Sequence, residues 1–172
     1  LKLVANAAEG SVRDALSILD QAIVHTDAAI EAGAVRAMLG LTDKTRNFDL
    51  LEQLFTGDTA KTLTEFRTLY DAGADPVLLL QDMLELVHFV TLTKLAPGTE
   101  THDITYAAPE RARAKKLADT LSVTSLSLVW QMLLKALGET KLAPNLMLAA
   151  EMAFIRIAHA AELPPPAELV RS

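Results

Sequence analysis

The sequence predicts an all-α fold, on three observations. Apolar residues recur at three- and four-residue spacing along nearly the whole chain. No stretch alternates apolar with polar residues as a half-buried strand would, and no Asn-Gly or Asp-Gly pair marks a hairpin. Helix start and stop signals are spread along the chain: Gly10-Ser11, Gly40, Gly57-Asp58, Gly73 followed by Asp75-Pro76, Pro97-Gly98, Pro109 and Pro144.

Taken in order, Leu1 to Ala8 reads as the tail of a helix stopped by Gly10. Ser11 to His25 is the next, with Val12, Leu16, Leu19, Ala22 and Ile23 as its apolar stripe. A linker over 26–31 precedes a small helix from Ala32 to Leu39. Thr42 or Asp43 opens a helix to Phe55, closed by Gly57. Asp58 caps another that ends near Ala72-Gly73. Asp75-Pro76 places a cap before proline at the first helical position, and the helix it starts, to Leu95, is the longest and most apolar. Residues 99–108 are polar and expected as loop. Pro109 starts a basic helix carrying Arg111, Arg113, Lys115 and Lys116. Further helices are expected over 124–137 and from Pro144 to Glu162, before Pro164-Pro165-Pro166 opens an extended linker.

Composition excludes several classes of function. The 172 residues contain no cysteine, which removes disulfides, thiolate zinc sites and thiol catalysis. The formal net charge is −6, and the strongly basic face that grips DNA phosphates is missing. No apolar run is expected to approach the roughly 18 residues of a membrane span. Leu1 is not a start methionine, and no signal-peptide pattern follows it. The expectation is a portion of a longer cytoplasmic protein with no membrane partner.

The most informative run is Glu9-Gly10-Ser11-Val12-Arg13-Asp14-Ala15-Leu16. Ser11 is a good N-cap, with Asp14 three residues on in a shortened capping box. Asp14 suits the positive end of the helix dipole, whereas Arg13 does not. A cation held beside unpaired backbone N–H groups makes a receptor for an anion such as phosphate. Read alone, Arg13 is more simply a solvated arginine paired with Asp14 or Glu9.

This run lies within Ala7-Ala8-Glu9-Gly10-Ser11-Val12-Arg13-Asp14-Ala15-Leu16-Ser17-Ile18-Leu19-Asp20-Gln21-Ala22-Ile23. The whole stretch resembles the AAEGSxRDALSxxDQAI signature of the gamma/tau subunits of the bacterial DNA polymerase III clamp loader, which are AAA+ ATPases. Val35-Arg36-Ala37-Met38-Leu39-Gly40 is similar to the VxxMLG that follows it in the family. Gly73-Ala74-Asp75-Pro76, then Leu79-Leu80-Gln81-Asp82-Met83-Leu84 and His88, resembles the family's less distinctive GxDxxxLLxxLLxxLH region.

The resemblance implies that residues 1–26 end an AAA+ lid domain, that 27–163 form a helical collar (oligomerisation) domain, and that 164–172 begin a Pro-rich linker. It makes Arg13 the sensor 2 arginine, which reaches the ATP phosphates in the full-length protein. It implies partners: further gamma/tau copies, the delta and delta-prime subunits and, in some bacteria, a small accessory subunit. ATP and Mg, the sliding clamp and primed DNA would be met chiefly by other parts of the parent, an ATPase within the DNA-directed DNA polymerase (nucleotidyltransferase) holoenzyme. The family's small zinc module has no counterpart in these cysteine-free residues.

The remaining motifs carry less. No GxxxxGK[ST] loop occurs, so these residues alone are not expected to hydrolyse ATP or hold a cofactor. Glu85-Leu86-Val87-His88 is a single E-x-x-H, where a di-metal bundle needs two and two further glutamates; the simpler reading is a helical core face with His88 donating to a backbone or carboxylate partner. No G-x-S-x-G elbow or Ser-His-Asp set can be recognised. Arg111, Arg113, Lys115 and Lys116 lack interleaved aromatics, and read as a solvated helix or a rim meeting an acidic neighbour. Trp130 is expected in the core, with an interface anchor as the alternative. Met147, Leu148, Met152, Phe154 and Ile155 leave the middle of the last helix little polar face, as if it were buried on more than one side. Two other readings stay open: a helical adaptor for protein partners, though no internal repeat supports it, and a metal-dependent bundle using Glu85 and His88.

Overall fold

The computed structural model describes residues 44–98 and 106–162. They form six α-helices and no strand: α1 (Lys44–Thr56), α2 (Thr59–Asp71), α3 (Pro76–Leu95), α4 (Ala108–Thr120), α5 (Val123–Leu142) and α6 (Leu146–Glu162). The all-α expectation holds for these residues. The helices expected before residue 42, the polar stretch 99–105 and the triproline lie outside the described residues.

Caps explain where α2 begins and ends and where α3 begins. The Asp58 carboxylate accepts from the Lys61 N–H at 3.0 Å and starts α2. With that backbone hydrogen bond as the main cause, the Asp58 carboxyl titrates below its usual range. Asp75 accepts from the Val77 and Leu78 N–H groups at 2.8 and 3.0 Å, with Pro76 behind it, and starts α3. Gly73 ends α2 at φ 96°, a left-handed conformation that costs a residue with a Cβ. The N–H of Gly73 donates to the Tyr70 carbonyl and that of Ala74 to the Leu69 carbonyl, which closes a Schellman turn.

Two helices organise the body. α3 packs against α1, α4, α5 and α6, and α6 packs against α1, α2, α3 and α5. Their shared core holds Leu79, Leu80, Met83, Leu86, Val87 and Val90 from α3, and Ala153, Phe154, Ile157 and Ala158 from α6. Phe66 of α2 meets Phe154 with ring centroids 5.0 Å apart. A partly buried polar link joins α1 to α3, from the Asn47 amide to an Asp82 carboxylate oxygen at 3.1 Å.

The absence of a membrane-length run needs correction. α3 is 20 residues long, and by length and composition it could cross a bilayer. Asp82, Glu85 and Lys94 interrupt the run but do not outweigh the leucines and valines around them. Half of the window is buried within the helical body, so α3 is accounted for as its core helix.

The start of α4 at Ala108 lies next to the expected Pro109. α5 differs: it runs to Leu142, five residues past the expected Leu137. Gly138 lies inside it, exposed, with nothing within 4 Å of where a Cβ would stand, so the helix continues through it. α6 begins two residues after Pro144, with the Asn145 side chain accepting from the Leu148 N–H at 3.1 Å.

Candidate subunit interface

Arg13, the one nucleotide-contacting residue expected from the sequence, lies outside the described residues. What the described body offers is exposed apolar side chains on α5 and on α6. On α5 the buried side is Leu126, Val129, Leu133, Ala136 and Thr140, spaced by three and four. A second set at the same spacing, Val123, Ser127, Trp130 and Leu134, occupies a different side and is exposed. Trp130 is 38% exposed and Leu134 48%. The expectation that Trp130 belongs to the core is therefore corrected. The cause is geometric: at about 100° per residue, Trp130 sits roughly a quarter-turn around α5 from the line of Leu126, Val129, Leu133 and Ala136 that faces α3 and α6.

α6 repeats the arrangement. Ala150, Ala153, Phe154, Ile157 and Ala158 are buried, while Leu148 and Met152, one turn apart, are 55% and 54% exposed. Ile155, three residues on, is half-buried. Within a single chain this helix is already packed on more than one side, by α1, α2, α3 and α5, as its composition suggested, and Leu148 and Met152 are what remains uncovered. Leu142 and Leu146, also exposed, flank the turn that joins the two helices.

Charged groups fix how α5 and α6 sit against each other and against α2. The Arg156 guanidinium donates to Glu139 at 2.6 Å, and Lys135 reaches the same carboxylate at 3.8 Å. The Arg156 hydrogen bond is the main reason that the Glu139 carboxyl titrates below its usual range. Arg67 of α2 donates to Glu151 of α6 at 2.6 Å. An apolar surface held by polar edges is the composition of a protein–protein contact, with tryptophan and methionine enriched at its centre.

The other sequence candidates are scattered. Glu85 and His88 are both exposed on α3, so His88 is not part of a buried core face as expected. Among the described residues no three His, Asp or Glu side chains gather as metal ligands would. The basic cluster divides. Lys115 and Lys116 are exposed, whereas Arg113 turns inward to Asp49 at 2.6 Å and Glu52 at 3.0 Å on α1. Its burial works against the charge, but the hydrogen bonds and attraction of the two carboxylates outweigh it and raise its pKa further. The sequence held a signal for this pairing in Asp49 and Glu52, three apart and hence on one helix face.

Comparison with known proteins places two family models along the chain. Residues 1–28 match the ATPase lid domain of the DNA polymerase III clamp loader subunit, and residues 30–172 match domain III of DNA polymerase III subunits gamma and tau. DNA polymerase III subunit tau of Escherichia coli is 34% identical over 91% of the chain, and the match covers 24% of that protein. The Salmonella typhimurium tau subunit gives the same identity and coverage of both proteins. The tau/gamma subunit of Haemophilus influenzae is 29% identical over 89% of the chain and 21% of its own length. The chain thus spans about a quarter of the length of these relatives.

Proposed function

The chain belongs to the family of DNA polymerase III gamma and tau subunits, and from that premise we propose that its helical body joins subunits of a clamp-loader ring. In this reading the body is the collar, and the α5–α6 surface is where a neighbouring subunit seats. The observation that carries it is the paired apolar faces of α5: one buried in the body, the other, with Trp130 and Leu134, open to a partner. The partners would be further gamma/tau copies and delta-type subunits, with a small accessory subunit in some bacteria. The setting would be the cytoplasm.

Arg13 would serve in the full-length protein as the sensor that reads the ATP phosphates, with Mg and the rest of the pocket supplied by the ATPase core. The sequence signals of a helix start at Ser11 with an arginine beside it support an anion-binding role. Loading of the sliding clamp on primed DNA would be the activity of the whole assembly. Arg13→Ala in the full-length protein tests the sensor role: nucleotide-dependent clamp loading should fall at least about ten-fold while the protein stays folded. Unchanged loading would overturn it.

The collar reading is tested on the chain itself, by light scattering over a concentration series. A discrete complex of three or more 18.6 kDa chains is the expected result. A monomer at every concentration would contradict a self-sufficient contact on these helices.

A further inference from the structure

We propose that α4 is a detachable strap laid over α3 and latched to α1 by Arg113. The inference does not depend on the collar reading. α4 buries only Ala114, Leu117 and Ala118 along its own length, and two of these are alanines. Its main packing partners are α3 and α1. What holds it is largely polar. The Arg113 guanidinium donates to Glu52 at 3.1 Å, to Asp49 at 2.6 Å and to the Thr45 carbonyl at 3.1 Å, three points along one side of α1. It also lies over the Phe48 ring, 5.2 Å from its centroid. Across α3, the Lys94 ammonium donates to the Ala118 carbonyl at 2.7 Å.

The strap has a point about which to swing. Leu121 and Ser122 both hold extended backbone, with ψ 142° and 154°, and there the chain turns by 115° between α4 and α5. Just before α4, Tyr106 stacks on Phe89 of α3 at 4.1 Å and carries the Lys44 ammonium of α1 over its ring at 4.6 Å. Release of the strap lifts Arg113 from the Phe48 ring and, where Tyr106 is carried with it, uncovers Phe89 as well, without parting α1 and α3 from α6. Elements held by few apolar contacts and several charge-assisted ones open before the body unfolds. Because attraction between charges weakens with ionic strength, this opening depends on salt more than the opening of α5, which is held chiefly by apolar burial.

Hydrogen–deuterium exchange read by mass spectrometry on the whole chain tests the proposal, from low salt to about 1 M. In the unaltered chain, α4 amides should exchange faster than those of α3 and α5, and faster still as salt rises. Arg113→Ala should accelerate α4 exchange about ten-fold or more and remove most of its salt dependence, leaving α5 and α6 as they were. Arg113→Lys, which keeps the charge but loses the fork, should fall between the two. If Arg113→Ala does not fold, the salt series on the unaltered chain and the lysine variant decide the matter. Exchange of α4 in step with α3 and α5 at every salt concentration would overturn the proposal. So would acceleration spread evenly over all six helices.

Discussion

α4 and α5 are joined by two extended residues, yet they are held to the body by opposite means. α5 lays Leu126, Val129, Leu133 and Ala136 into a core shared with α3 and α6, and still has Trp130 and Leu134 to spare on another side. α4 contributes one leucine and two alanines, and relies on Arg113 to hold it to α1. Burial of apolar area is non-directional and is not screened by salt, so it anchors α5 wherever its shape fits. Charge-assisted hydrogen bonds are directional and weakened by salt, so they fix the register of α4 while leaving its hold conditional. The excess apolar surface on α5 is what marks it, and not α4, as the place for a second chain.

Core truncations sharpen this contrast most. Phe154→Ala, on α6 against Phe66 of α2, should cost about 3–5 kcal/mol in denaturant unfolding, because its side chain is fully buried in the core. Leu117→Ala, the largest apolar truncation available within α4, should cost about 2 kcal/mol, at the low end for leucine, since the site is near the surface and can collapse. Equal losses at the two positions would break the distinction between a packed and a latched helix.

A smaller effect of opposite sign is expected at Gly138. An alanine there has free space for its methyl group and should stabilise α5 by about 0.5–1 kcal/mol, measured as a raised midpoint of unfolding. The smallest effect is that of acid on the α5–α6 edge. The folded-state pKa of Glu139 is depressed by Arg156, so its contribution is complete above the ordinary carboxylate pKa and is lost as pH falls through the depressed one. Both groups are exposed, so the loss is slight; Glu139→Gln should remove that part of the acid sensitivity and leave neutral-pH stability nearly unchanged. A large change at neutral pH would mean that the edge does more than align the two helices.

The caps of α2 and α3 were legible because each is local. Asp58, Gly73 and Asp75-Pro76 act within four residues of where they stand. The end of α5 was less so, since a glycine inside a helix and one that stops it look alike in sequence, and neighbours such as Arg156, which meets Glu139, decide between them. Trp130 was misplaced for a related reason. A helix apolar on two sides does not say which side its own chain covers. The inward turn of Arg113 depended on carboxylates 61 and 64 residues away, beyond any local pattern. Of the candidate sites, Arg13 was named from a motif whose residues lie outside the described structure, and the α5–α6 surface emerged only once the body was folded.

The most direct test of the central claim is the solution mass of three proteins by light scattering: the unaltered chain, Leu134→Asp on α5 and Lys115→Glu on α4. Both substitutions are at exposed positions, so neither disturbs the core. The account predicts a discrete complex for the unaltered chain, the same complex for Lys115→Glu, and a shift to the monomer for Leu134→Asp. A Leu134→Asp protein that assembles as the unaltered chain does would contradict it.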